Sequence, residues 1–158
     1  MWYAEWLGSA VALAASSRSN ATVWTLDRVA GLPAWSGPAV AAIALGAFAL
    51  WLLRVRPPIA TTFAAVIPAG LAVAPYGWSY DQLQLLVPIA VAVAATGRLA
   101  GRARPAGLAL VALIATAVPW SLYVLAFRRG GEELSVLSPL LVFALLVGVV
   151  RVERQGPI

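Results

Sequence analysis

With no cysteine and no histidine in its 158 residues, this chain can do polar or acid–base chemistry only through carboxylates, Tyr, Ser or Arg. Those types gather in Pro75-Tyr76-Gly77-Trp78-Ser79-Tyr80-Asp81, which lies between two long apolar runs and holds the only acid between Asp27 and Glu132. A charged side chain at the centre of a membrane helix costs ~2.5 to 3.5 kcal/mol on insertion scales, so Asp81 belongs at an aqueous boundary, against a partner or in a cavity. A carboxylate accepts hydrogen bonds from ligand hydroxyls, and aromatic faces suit the C–H faces of a sugar ring. Asp81, Tyr80, Trp78 and Tyr76 are therefore candidate substrate-binding residues. A second reading is structural: Ser79-Tyr80-Asp81-Gln82 has the S-x-x-Q form of a capping box, in which Asp81 only complements the positive start of a helix.

Two further polar groups precede the first long apolar run. Asn20-Ala21-Thr22 matches a glycosylation sequon and equally a loop or helix-start signal. Arg28 follows Asp27, so it either pairs locally or offers a guanidinium to a phosphate. Arg128-Arg129 beside Glu132-Glu133, with Gly130-Gly131 between them, reads as a self-neutralised turn. The residue types exclude disulfide frameworks, thiolate nucleophiles, zinc clusters and imidazole bases. No phosphate-cradling glycine loop or paired-carboxylate site is visible, and neither a metal nor a cofactor is expected.

The elements that must position these residues are membrane helices. The chain is 62% hydrophobic and 11% charged, with a mean hydropathy of +0.89, outside the range of ordinary soluble domains. A helix needs ~20 mostly apolar residues to cross ~30 Å of hydrocarbon. Five stretches of 17 to 22 residues fall in the spanning range, with Asp81 near the start of the third as their one charge: 35–53, 58–74, 79–96, 106–127 and 134–150. The fold class expected is thus all-α, a polytopic membrane bundle of about five spans over residues 35–158 with a C-terminal tail. Residues 1–34 are read as an interfacial helix over 2–15 followed by an extracytoplasmic loop. Glu5 stands where a signal peptide would carry basic residues.

Alternating the five spans sorts the arginines. Arg54, Arg56, Arg98, Arg102, Arg104, Arg151 and Arg154 fall at one end, whereas Arg18, Arg28, Arg128 and Arg129 fall at the other. Because cytoplasmic loops retain basic residues, the C-terminus is expected in the cytoplasm and the 75–81 turn outside a cell membrane. The net charge of +5 is spread between apolar runs without a continuous basic face, which argues against nucleic acid as a partner. Pro68, Pro88 and Pro119 fall inside spans and predict kinked helices. Ala39, Ala42, Gly46 and Ala49 put small residues on one side of the first span, a pattern that favours close helix contact.

The order of these features resembles the C-terminal half of family 87 glycosyltransferases, membrane enzymes of the GT-C fold with α-mannosyltransferase-like members. The segment from Ala74 to Pro88, APYGWSYDQLQLLVP, is similar to that family's SPYSWDYD-L-LLLP pattern, with Ala74 in place of its Ser. Ser19-Asn20-Ala21-Thr22-Val23-Trp24 resembles the family's N-Q-S-L segment more loosely. The resemblance implies transfer of a mannose-like sugar from a polyprenyl-phosphate donor to a lipid-linked or glycan acceptor on the extracytoplasmic face. Asn20 and Arg28 would assist the departing phosphate, and Asp81, Tyr80, Trp78 and Tyr76 would shape the sugar or acceptor pocket. The general base would come from an acid in an external loop preceding this sequence, so no catalytic residue is assigned here. The implied partners are membrane lipid, the polyprenyl-phosphate donor and additional N-terminal transmembrane spans, with this chain alone inactive. The alternative is a small non-enzymatic multi-pass protein, such as a transporter subunit or assembly partner.

Overall fold

The computed structural model describes residues 4–5, 8–9, 22–25, 30–74, 77 and 79–155, with the side chains of 79–80 and 153–155 outside that description. It is all-helical, and no strand occurs among the described residues. Helix α1 spans Ser36–Val55, α2 Ile59–Val73, α3 Leu86–Gly97, α4 Ala103–Arg129 and α5 Leu137–Gln155. Three-residue and longer 3-10 segments stand at Val23–Thr25, Ser79–Leu85 and Glu133–Val136. Residues 4–5 and 8–9 are helical and exposed, and the rest of the expected interfacial helix lies outside the described residues.

All five expected helices are present, and three are long and apolar enough to cross a membrane: Ser36–Val55, Ala103–Arg129 and Glu133–Val152. The other two are shorter than hydropathy suggested. At 1.5 Å per residue α2 extends only about 22 Å, because Pro58 occupies its N-cap and the helix stops at Val73. The third span opens with the 3-10 segment Ser79–Leu85 before α3 begins. A 3-10 residue rises about 2.0 Å against 1.5 Å in an α-helix, so Ser79 to Gly97 still covers about 32 Å. The capping box expected at Ser79 therefore does not open an α-helix; the α-helical N-cap is Leu85, without a side-chain hydrogen bond.

The three internal prolines are handled differently. Pro68 is buried within a continuous α2. Pro88 sits two residues after the 3-10 to α transition, where the preceding turn is already altered. Pro119 follows a π-helical turn at Leu113–Ala117. A proline ring clashes with the carbonyl four residues earlier, here Ala115, and widening that turn relieves the clash. Gly130, at φ 70°, closes α4 by donating its N–H to the Ala126 carbonyl at 2.8 Å.

Helix α5 is the centre of the bundle. Val142, Leu145, Leu146 and Val149 pack with Ala64 and Ala65 of α2, Ala92 and Ala95 of α3, and Val111 and Ile114 of α4. Helix α1 joins through rings, with Phe48 and Trp51 each about 6 Å or less from Phe143 of α5, at 5.6 and 6.0 Å between centroids. On the small-residue side of α1, Ala39 is half-buried and Ala42, Gly46 and Ala49 are exposed, and within this chain α1 buries Gly37 and Ala41. That choice follows from Trp24, whose backbone lies where a Gly37 Cβ would project, 2.7 Å away.

Helices α3 and α4 are in tight contact where Gly107 meets Thr96. A Cβ on Gly107 would stand 2.5 Å from Thr96 Cγ2, and Thr96 is fully buried. Gly107→Ala is therefore expected to destabilise the fold by about 1 to 3 kcal/mol through overpacking. Adding Thr96→Ser, which removes the opposing methyl, should restore most of the loss. Thermal unfolding of the single and double variants in one detergent measures both, and an undiminished defect in the double variant would refute this contact as the cause.

Candidate functional site

Residues Thr22–Thr25, the end of α2 at Val73, Gly77, the 3-10 segment Ser79–Leu85 and the segment Glu133–Val136 come together in the fold. Two long-range hydrogen bonds fix this meeting. Trp24 Nε1 donates to the Val73 carbonyl at 2.9 Å, and Gln82 Nε2 donates to the Ser135 carbonyl at 2.7 Å. The first satisfies a carbonyl in the last turn of α2, which has no partner within the helix. The second ties the start of the third span to the start of the fifth. Val23, Ala41, Ala72 and Val136 form a small apolar cluster beneath these bonds, with Val136 fully buried.

Above that cluster Thr22, Gly77 and Asp81 converge. A Cβ built on Gly77 would lie 3.1 Å from Thr22 Cγ2 and 3.9 Å from Asp81 Oδ2. Thr22 is completely buried and its Oγ1 has no hydrogen-bond partner, whereas its carbonyl accepts from Thr25 Oγ1 at 2.9 Å. Asp81 is half-buried. The Asp81 carboxylate and the Thr22 methyl thus flank a residue without a side chain, and of these groups the half-buried carboxylate is the one able to accept from a ligand hydroxyl. Hydrogen bonds involving an ionised group contribute about 1.5 to 3 kcal/mol each, so the carboxylate dominates what this corner can bind.

Among the sequence-derived candidates, Asp81 is the one whose side chain is described. Tyr80 lies beside it in the 3-10 segment, with its side chain outside the description. Asn20, Arg28, Tyr76 and Trp78 lie outside the described residues. The fold nonetheless brings Thr22, two residues after Asn20, against Gly77, one residue after Tyr76. Sequence reasoning missed Thr22 and Gln82 as site-forming groups, treating the first as part of a sequon and the second as a cap. Their pairing partners are more than fifty residues away, and local spacing carries no sign of them.

Among the described residues no three acids gather to hold a metal ion. No family model, no curated protein and no solved structure matches this chain.

The Trp24 hydrogen bond has a direct test. Trp24→Phe keeps most of the ring but leaves the Val73 carbonyl without its donor, and should cost about 1 to 3 kcal/mol, the penalty for an unsatisfied buried group. Amide exchange over the last turn of α2 should rise in the same variant, whereas exchange in α5 should not. Equal acceleration throughout would show that the bond carries no local role.

Proposed function

We propose that this chain is the C-terminal part of an integral membrane glycosyltransferase, one that moves a mannose-like sugar from a polyprenyl-phosphate donor to a lipid-linked or glycan acceptor. The supporting observation is the Thr22–Gly77–Asp81 corner. In the two stretches that resemble family 87 glycosyltransferases, Thr22 of 19–24 and Gly77 of 74–88 are remote in sequence and adjacent in the fold. An assembled site is a stronger reason for that resemblance than two unrelated surface turns.

In this reading Asp81 accepts a hydrogen bond from a sugar or acceptor hydroxyl, and so fixes its orientation. Transfer from a phosphate leaving group needs a base on the acceptor hydroxyl and positive charge or hydrogen-bond donors on the departing phosphate. Arg28 and Asn20 are assigned to the second task, and Tyr76, Trp78 and Tyr80 to the walls of the pocket. The base belongs to a part of the enzyme outside this sequence. A helix such as α1, which buries only Gly37 and Ala41 among its described side chains, suits a chain that meets further membrane segments. That same observation favours the second reading, a non-enzymatic assembly partner, which would use the exposed α1 face without any sugar chemistry.

The enzyme reading is tested with Asp81→Asn introduced at the native locus, scoring sugar transfer from radiolabelled polyprenyl-phosphate mannose in isolated membranes. Loss of one charged hydrogen bond corresponds to roughly 10- to 100-fold in rate, while the amount of protein in the membrane should change less than about twofold if the fold is kept. Parallel loss of transfer and protein would leave Asp81 with a structural role alone. Orientation is checked separately with a reporter active only outside the cytoplasm. Fused after Trp78 it should be active and fused after Arg102 silent, and the reverse pattern would invert the topology.

A further inference from the structure

The bundle carries most of its positive charge at one end, and the contacts already described locate that end. Gln82, in the opening of the third span, bonds to Ser135 just ahead of α5, and Gly77, which follows α2, lies against Asp81. The end of α2 and the starts of the third span and α5 are therefore together. Helices joined by short turns run back on one another, and Thr96 near the end of α3 meets Gly107 near the start of α4. The opposite end of the bundle thus carries Arg54 and Arg56 around the α1–α2 turn, Arg98, Arg102 and Arg104 around the α3–α4 turn, and Arg151 and Arg154 at the close of α5. Against these arginines the sequence sets one acid, Glu153, and none lies between Asp81 and Glu132.

Arg102 also heads an apolar stripe. It is the N-cap of α4, in helical conformation and without a side-chain cap bond. Ala106, Ala109 and Leu113 follow it at four, seven and eleven residues, within about 40° of the same meridian at 3.6 residues per turn. All four are exposed, as is the neighbouring Leu110, and the stripe runs about 16 Å before the π turn begins. Because α4 is long and apolar enough to cross a membrane, this stripe faces acyl chains and Arg102 stands at its headgroup end.

Charge selects among lipids. Arg102 and Arg104 stand at the positive end of the α4 dipole, where a cation is disfavoured. Among the described residues neither forms a side-chain hydrogen bond or ion pair. A zwitterionic lipid offers a phosphate but brings an ammonium group that this end of the bundle repels, whereas a lipid of net negative charge brings the phosphate alone.

We propose that the α3–α4 turn binds an anionic phospholipid, its phosphate on the Arg102 guanidinium and one acyl chain along Ala106, Ala109 and Leu113. The guanidinium donates N–H groups to the phosphate oxygens, and the other arginines of this end supply the field that favours net negative charge. None of the residues assigned to sugar transfer takes part.

The test uses the full chain in nanodiscs with two photoactivatable probes, phosphatidylglycerol and phosphatidylcholine, each carrying a diazirine in one acyl chain. Phosphatidylglycerol should label the stretch from Ala106 to Leu113 roughly 5- to 25-fold more strongly, the attraction of one to two arginines at a membrane surface. Arg102→Gln, at an exposed position, should lower that labelling about fivefold with the melting temperature unchanged. Arg128→Gln combined with Arg129→Gln, which removes the exposed basic pair at the other end of α4, should leave it as it was. Sodium phosphate and sodium chloride at equal ionic strength should weaken it alike, since both act by screening. Equal labelling by the two lipids, a preference kept in Arg102→Gln, the same loss in the Arg128 and Arg129 variant, or selective displacement by inorganic phosphate, which would assign Arg102 to a soluble anion, would each overturn the proposal. Because the readout is labelling at the end remote from Asp81, a failed transfer assay leaves the outcome unaffected.

Discussion

A peptide group that enters hydrocarbon must find its partner within the chain, and the irregular parts of this bundle are answers to that requirement. Regular α-helix satisfies most carbonyls. Where α2 ends early at Val73, the indole of Trp24 reaches in from forty-nine residues away. Where the third span begins late, a 3-10 segment keeps its backbone bonded while extending faster than an α-helix. Pro119, which has no N–H, is preceded by a widened turn instead of a broken one. Each departure from ideal helix occurs where a short span or a proline threatens to leave a polar group unpaired.

Hydropathy made the five helices readable, because an uncharged run of about 20 residues has few alternatives to a membrane helix. Their ends were less readable. Val55 and Gln155 lie past the limits of the apolar runs, since an α-helix continues into its polar flank as long as its backbone bonds are made. Of the two readings of Ser79–Gln82, the capping box expected an α-helix to open there and a 3-10 segment opens instead, because the S-x-x-Q pattern specifies a turn but not its pitch. Small residues at Ala42, Gly46 and Ala49 suggested a packed face, yet the tight approach is made by Gly37 against the Trp24 backbone. A periodic pattern names a face without naming its neighbour.

The polar corner was legible in part. Asp81 stood out because a lone acid between apolar runs is expensive to place. Thr22 did not, although it is more deeply buried than Asp81, because a threonine carries no charge to announce it. In 3-10 geometry successive side chains diverge by about 120°, so Asp81 and Gln82 point to different sides of one segment. That divergence gives the acid to one compartment and the amide to another, where it binds the Ser135 carbonyl.

The π turn of α4 has an effect on phase. Accommodating one additional residue without advancing a full turn rotates everything beyond it by about 100° relative to an unbroken helix. Val111 before the turn and the stacked pair Trp120 and Tyr123 after it are therefore set on unrelated meridians of the same rod. Substitutions on the inner half can tune how α4 meets α3 without re-aiming the aromatic face of the outer half. One continuous helix thereby behaves as two independently adjustable surfaces, and selection can act on either without disturbing the other.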